Sequence, residues 1–406
     1  MPKNIKNLII AGAIIFVLII VLAFAFGRKT SENGEPTFLG KLFPESPPSS
    51  TSDVAQKTSD VFPGGAGEGG IKEAGAFTKP EAQKLPAGTL IKLSSDAVSS
   101  FSASGTTTRY HKNIAENPGH LFEREADGSN QEIRISNFTI PQILDVTWSK
   151  NSQKAVIFYN LNNEVRKILV DYSESAPKTN FLPDSVGAVA FSPDSKSMAF
   201  INSTETAENI FVANSAFGNQ RKILDNNIPN LEISWSSQNL IALKTKSSYA
   251  VNGFLYTINA SGGNFAKVTE STGLDAVWNS DGSSVAYTNS NLDLFFLDMK
   301  TGNKKSLGLK TVAEKCAFGN PPAGGQKNIV YCAIPSVIAS GKYPDEWWQG
   351  KASFLDNIIA IDTETLDLVL YAKTVSDAVD PIVLENDSFL LFKDKNTGEL
   401  WSLKLR

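Results

Sequence analysis

The chain has 406 residues, and 38 Lys and Arg against 42 Asp and Glu leave a formal net charge of −4. With no basic excess to neutralise a phosphate backbone, nucleic acid is excluded as a partner class. Two His and two Cys are too few for most metal centres, and the P-loop, the dinucleotide glycine run, His-Glu-x-x-His and Gly-x-Ser-x-Gly are all missing, so no catalytic residue, metal or cofactor is expected.

Residues 1–29 predict a membrane anchor. Leu8 to Phe26 is an apolar stretch of 19 residues without a charge, long enough as a helix to cross the hydrocarbon core. Lys3 and Lys6 precede it and Arg28 and Lys29 follow it, so flanking charge alone does not orient it. A short N-terminal tail is expected to stay cytoplasmic, which exports the rest as a single-pass protein. The alternative is a secretory signal, for which Ala23-Phe24-Ala25 supplies the small-x-small spacing of a cleavage site. Residues 30–86 are rich in Pro, Ser, Gly and charge, as in Pro44-Glu45-Ser46-Pro47-Pro48. Such a composition buries too little apolar surface to offset chain ordering and predicts a disordered linker.

From residue 87 to 406 one phrase recurs: an aromatic residue, a polar turn, then a second apolar run. Trp148, Phe191, Trp235 and Trp278 carry it at intervals of 43 or 44 residues, a period that four-stranded propeller blades share. Each repeat reads as strands a to d, with Ser192-Pro193-Asp194-Ser195 as an a–b turn and Ser261-Gly262-Gly263-Asn264 and Lys300-Thr301-Gly302-Asn303 as c–d turns. Phe101 and Phe318 extend the frame in both directions. The final repeat lacks a strand d, and residues 89–93 supply a candidate whose pairing with the last blade would close the ring and remove its exposed edges. The expected fold is all-β, a seven-bladed β-propeller preceded by one transmembrane helix and a disordered linker.

The run Phe191-Ser192-Pro193-Asp194-Ser195-Lys196-Ser197-Met198-Ala199-Phe200 resembles the TolB-type, WD40-like propeller repeat, whose usual form has Gly where Ser195 stands. Residues Trp278 to Tyr287 are a second copy that is similar to it. The resemblance implies a protein-binding module of a bacterial-type envelope. Similar propellers precede a serine-hydrolase domain in prolyl-oligopeptidase-like peptidases, but no such domain is expected here.

Four groups of residues stand out. Cys316 on strand a and Cys332 on strand b of the sixth repeat fall opposite one another in a hairpin, which predicts a disulfide in an exported domain. Residues 335–356 form an insertion between strands b and c of that repeat, carrying Tyr343, Trp347 and Trp348. Its aromatics are candidate partner anchors; alternatively the loop folds onto the blade and buries them. Asp145, Glu232, Asp275, Glu314 and Asp380 stand near the entrance to strand a in five repeats, which predicts an acidic ring at one mouth of the channel. The bland alternative is carboxylates that cap strands. Because b–c and d–a loops leave a four-stranded meander at the same end, ring and insertion should share a face. His111 and His120 read as exposed residues flanking a loop, without a catalytic role. The expected function is binding or scaffolding of an envelope protein, basic in part, or of a cation, by a monomeric propeller. The alternative is a propeller-class glycan hydrolase or lyase that uses the carboxylates at the mouth.

Overall fold

The computed structural model describes residues 85–320, 329–373, 376–384 and 387–406. The expected anchor and, except for residues 85 and 86, the expected linker lie outside these residues. Among the described residues no helix is long and apolar enough to cross a membrane.

Seven four-stranded antiparallel sheets follow one another around a ring. Their inner strands are Val98–Ser104, Ile143–Trp148, Val186–Phe191, Leu231–Ser237, Asp275–Trp278, Cys316–Phe318 and Ala378–Val383, which define blades 1 to 7. In blades 1 to 6 the sheet order is the sequence order. Each blade is a meander because short turns join most neighbouring strands, the long b–c connection of blade 6 being an exception. The expected a–b turn is present: Ser195 N–H donates to Ser192 O at 2.9 Å, and Ser192 Oγ donates to Asp194 Oδ1 at 2.6 Å. Its last residue must adopt positive φ, which is +61° at Ser195, +55° at Ser152 in blade 2 and +75° at Gly282 in blade 5. Glycine suits this position because it has no Cβ to clash there, and two serines occupy it here at some cost.

In blades 2 to 7 the second strand carries an apolar run, and in Ala155–Tyr159 and Ser284–Thr288 every residue is buried. Such strands are covered on both faces, because neighbouring blades stack face to face. Val156 and Phe158 of blade 2 pack with Val189, Phe191, Met198 and Phe200 of blade 3. Outer strands are wetter, and in blade 6 Leu368, Val369 and Leu370 are each more than half exposed.

The ring closes as the sequence predicts. Leu90–Ser94 pairs antiparallel with Leu400–Lys404, placing Leu90 opposite Leu403 and Lys92 opposite Trp401. The last sheet therefore holds its inner three strands from one end of the propeller and its outermost strand from the other. Leu93, Phe101 and Tyr110 pack with Phe389, Leu391 and Leu400, so the seam between blades 7 and 1 is a core like the others. In blade 6, Cys316 lies directly opposite Cys332. The two are joined by a disulfide, with Cα atoms 4.1 Å apart.

His111 is not an exposed loop residue as expected. It lies on strand b of blade 1 (Thr107–Ile114) and is fully buried, and it stacks on Trp148 of blade 2 with centroids 5.1 Å apart. Its ring nitrogens reach Ser100 Oγ at 3.0 Å and the Tyr172 hydroxyl at 2.9 Å. Burial pushes its pKa down to about 3, so it serves as a neutral core residue at the seam between blades 1 and 2. His120 is on strand c (Asn117–Glu125) and touches Asn117 and Thr139.

Candidate functional site

The inner strands leave an open channel with two mouths. At the mouth where strands a begin, a cavity of about 590 Å³ is lined by Asp145, Glu314 and Asp380 together with Ser100, Val146 and Lys393. Glu232 stands beside Asp145 in an adjoining hollow. Asp275 completes the set behind Glu314, whose backbone N–H donates to Asp275 Oδ2 at 3.2 Å. The five carboxylates read from the repeat thus converge, each from a different blade, because the same d–a junction is repeated around the ring.

They are not equivalent. Asp275 is 1 % exposed; it binds Lys244 and accepts the Ala276 N–H at 2.9 Å. Lys244 also reaches Glu232 at 2.9 Å. Asp275 is therefore an internal cap of strand a and no surface for a partner, which corrects its expected role. Asp145 also takes a strand N–H, from Val146 at 2.8 Å, but water reaches it. The channel walls crowd it, and this loss of hydration, ahead of repulsion from Asp380 and Glu232, raises its pKa. Asp380 is exposed and pairs with Lys393 at 3.0 Å. Asp145, Glu232 and Asp380 are thus the accessible acids of the mouth.

Glu314 sits in a one-turn 3₁₀ segment, Ala313–Lys315, that bends the chain into strand a of blade 6. Loss of hydration and then the Asp275 carboxylate push its pKa up to about 8, against the opposing influence of Lys244 and of the Trp348 indole N–H, which donates to Oε2 at 3.0 Å. Around neutral pH its carboxyl is therefore held protonated.

The insertion folds over this mouth. Its single helical turn, Asp345–Trp348, is held from several sides. Asp345 accepts from Ser248 Oγ at 3.0 Å and from the Tyr249 N–H at 2.9 Å, both in the b–c loop of blade 4. Trp347 O accepts from Lys395 of blade 7 at 2.6 Å. Loop and ring share a face, as the meander geometry requires.

The expected anchors divide. Trp347 is 1 % exposed, lies parallel to Phe354, and donates through Nε1 to Asp377 Oδ2 at 2.9 Å. Tyr343 is buried in the same cluster with Leu292, Val312 and Val379, and its hydroxyl donates to Ala339 O at 3.0 Å. Neither ring is available to a partner. Both are core of the insertion, since a loop of roughly 20 residues that lacks its own sheet must bury apolar area against the blades to stay ordered. Trp348 remains partly exposed and joins the acidic mouth.

Beneath Trp347 lies a group that the repeat pattern does not mark. Lys315, Asp356 and Asp377 are all 0 % exposed, and the Lys315 ammonium sits 2.6 Å from Asp356 and 2.5 Å from Asp377. Asp356 Oδ2 accepts the Ala378 N–H at 2.8 Å and Asp377 Oδ2 the Phe354 N–H at 3.1 Å. Desolvation raises Asp356 to about 6 despite Lys315. Three charged residues at separations of 41 and 21 carry no periodic signal, and the one cue in the chain is a lone charge set in an apolar run, as in Phe354-Leu355-Asp356-Asn357-Ile358-Ile359. Among the described residues no group of three or more His, Cys, Asp or Glu is arranged to hold a metal ion.

Fold and site together define a seven-bladed β-propeller with one acidic channel mouth under a tethered loop. No family model matches the chain, and no curated protein matches it in sequence. Among solved structures, an oligogalacturonate lyase in complex with manganese covers 74% of this chain and 86% of its own, at 13% identity and TM-score 0.53. A second oligogalacturonate lyase, from Vibrio parahaemolyticus, covers 78% and 93% at 10% identity and TM-score 0.55. TolB from Acinetobacter baumannii is also similar, over 70% and 59%, at 16% identity and TM-score 0.41. At these identities the likeness concerns the fold, and the fold is that of the propeller.

Proposed function

We propose that this chain is a membrane-anchored binding module whose propeller stands on the extracytoplasmic side and receives a basic protein segment at the acidic mouth. One observation carries the reading: Asp145 and Asp380, with Glu232 in the adjoining hollow, present accessible carboxylates from three blades at a cavity wide enough for a Lys or Arg side chain. The low-dielectric walls strengthen attraction for an inserted cation. The partly exposed Trp348 ring adds an apolar and cation–π surface beside it. The disulfide agrees with an oxidising compartment, and the apolar stretch from Leu8 to Phe26 with an anchor. The test is capture of partners from intact cells by the full chain and by an Asp145→Lys/Asp380→Lys variant. Loss of the same captured protein from the variant supports the module. Unchanged capture refutes the role of the mouth.

A second reading, a glycan hydrolase or lyase, draws on Glu314, whose carboxyl is held protonated near neutral pH beside other carboxylates, as the proton donor of a carboxyl pair must be. Incubation of the full chain with polygalacturonate, followed by reducing-end and ultraviolet assays, decides it. A Glu314-dependent product would displace the binding reading.

A further inference from the structure

Blade 6 breaks a rule that the other blades keep. The outermost strand of a blade is paired on one side and turns its other side, with free backbone N–H and C=O groups, to solvent. In six of the seven blades a Lys or Arg stands within the first three residues of that strand: Lys92, Arg134, Lys178, Lys222, Lys267 and Lys305. A charge there discourages a further strand from adding to the edge, because pairing would strip its hydration. Blade 6 has Leu368-Val369-Leu370 in its place.

All three are exposed, by 51, 54 and 52 %. Successive side chains point to opposite faces, so this strand shows apolar surface on both. Exposed large apolar residues in the other outer strands are single, Ile133 in blade 1 and Phe181 in blade 2. The stretch is also regular. Leu368, Val369 and Leu370 lie opposite Ile361, Ala360 and Ile359 of the third strand (Asp356–Asp362), and the register shifts only beyond them, before Ala372. There Gly88, where the chain enters the ring, lies so near Tyr371 that a Cβ on it would fall 2.7 Å from the Tyr371 carbonyl oxygen. Leu368 to Leu370 is therefore the open part of the edge, and no strand among the described residues covers it.

The charges at its two ends say what fits. Asp367 stands immediately before the strand and Lys373 is its last residue, both exposed and equally far from Leu370 in sequence. An antiparallel copy of the same strand brings each Asp367 to the end that carries the other copy's Lys373, with the apolar residues facing one another between them. A parallel copy would set like charge against like. The strand is thus self-complementary in one direction only, as a two-fold interface requires.

We propose that blade 6 carries a self-association edge: two copies of this chain join their outer strands antiparallel across Leu368 to Leu370, merging two four-stranded sheets into one. A reversible dimer replaces the monomer expected from the sequence. Three exposed apolar residues a side are few against the roughly 20–30 residues of a standard interface, so the pair forms and dissolves with concentration.

Sedimentation velocity on the full chain in detergent, from micromolar to near-millimolar concentration, is expected to show a monomer–dimer equilibrium. Val369→Lys gives blade 6 the protection that the other blades carry and should leave monomer only. Asp367→Lys and Lys373→Asp should each weaken the dimer at least about fivefold, and an equimolar mixture of the two variants should recover it, since each then meets opposite charges on the other. Because Cys316 and Cys332 are joined to each other, Leu370→Cys supplies a single free thiol. Mild oxidation should trap that variant as a covalent dimer, whereas Ile133→Cys, similarly exposed in blade 1, should stay monomeric. The proposal is overturned if the chain is monomeric throughout, if Val369→Lys associates as the unchanged chain does, or if the mixture fails to recover the dimer. Every substituted position is exposed, so the comparisons do not depend on a variant that fails to fold.

Discussion

Replacing Lys315 by Met tests how the insertion is held. The ammonium lies between Asp356 and Asp377 with all three residues fully buried, and Asp377 in turn anchors Trp347 and Phe354. Met matches the length of the lysine stem but removes from a dry interior the ammonium that both carboxylates pair with. Breaking a buried pair in this way costs about 3–5 kcal/mol. A propeller of this size unfolds with an entropy of roughly 0.7 kcal/mol/K, which converts the loss to a drop in Tm of about 4–7 °C. The pH dependence supplies a second check. Asp356 already titrates near 6 in the folded chain, above its unfolded value, so the folded state binds more protons and gains stability as pH falls from about 6 toward 4. Without Lys315 the carboxylate rises further, the penalty at pH 7 grows, and acidification relieves it. Thermal unfolding followed by circular dichroism at pH 7 and pH 5 should therefore show a large deficit that narrows at the lower pH. Asp377→Asn, which keeps an acceptor for Trp347 and leaves Asp356 to Lys315, should lose less. A Lys315→Met chain within about 1 °C of the original at pH 7, or one whose deficit does not change at pH 5, would refute the buried network.

Three further outcomes follow from the geometry. The protein isolated without reductant should carry no alkylatable thiol, and Cys316→Ser/Cys332→Ser should lower stability by about 3 kcal/mol, the chain-entropy value for a loop of this length, in denaturant titration. Ile91→Pro removes a ladder N–H from the strand that pairs with Leu400–Lys404; it should open the seam between blades 7 and 1, seen as rapid hydrogen exchange in both, and slow exchange there would argue against ring closure. A cation entering the acidic mouth favours ionised Glu314, so capture of a basic partner should strengthen as pH rises from 6.5 toward 8, the range in which Glu314 gives up its proton. Glu314→Gln should flatten that profile; an unchanged profile in the variant would place the titrating group elsewhere.

Much of the fold was legible in the chain. An aromatic residue every 43 or 44 positions, followed by a turn needing positive φ and an apolar run, states a blade, and a last blade one strand short states where its partner must come from. The carboxylates at five equivalent junctions were legible for the same reason: a rotational repeat maps equal phase onto equal height around an axis. So was the pairing of Cys316 with Cys332, since register in a short hairpin is a local property. What sequence could not decide was which side chains would face inward where the repeat is broken. The insertion has no phase, and its tryptophans read alike until packing places Trp347 under the loop and leaves Trp348 at the mouth. Burial of Asp275, the rise of Glu314 and the Lys315 network likewise depend on charges brought together from separate blades. Hydration lost and neighbours gained are set by distance in space, and only closure of the ring fixes those distances.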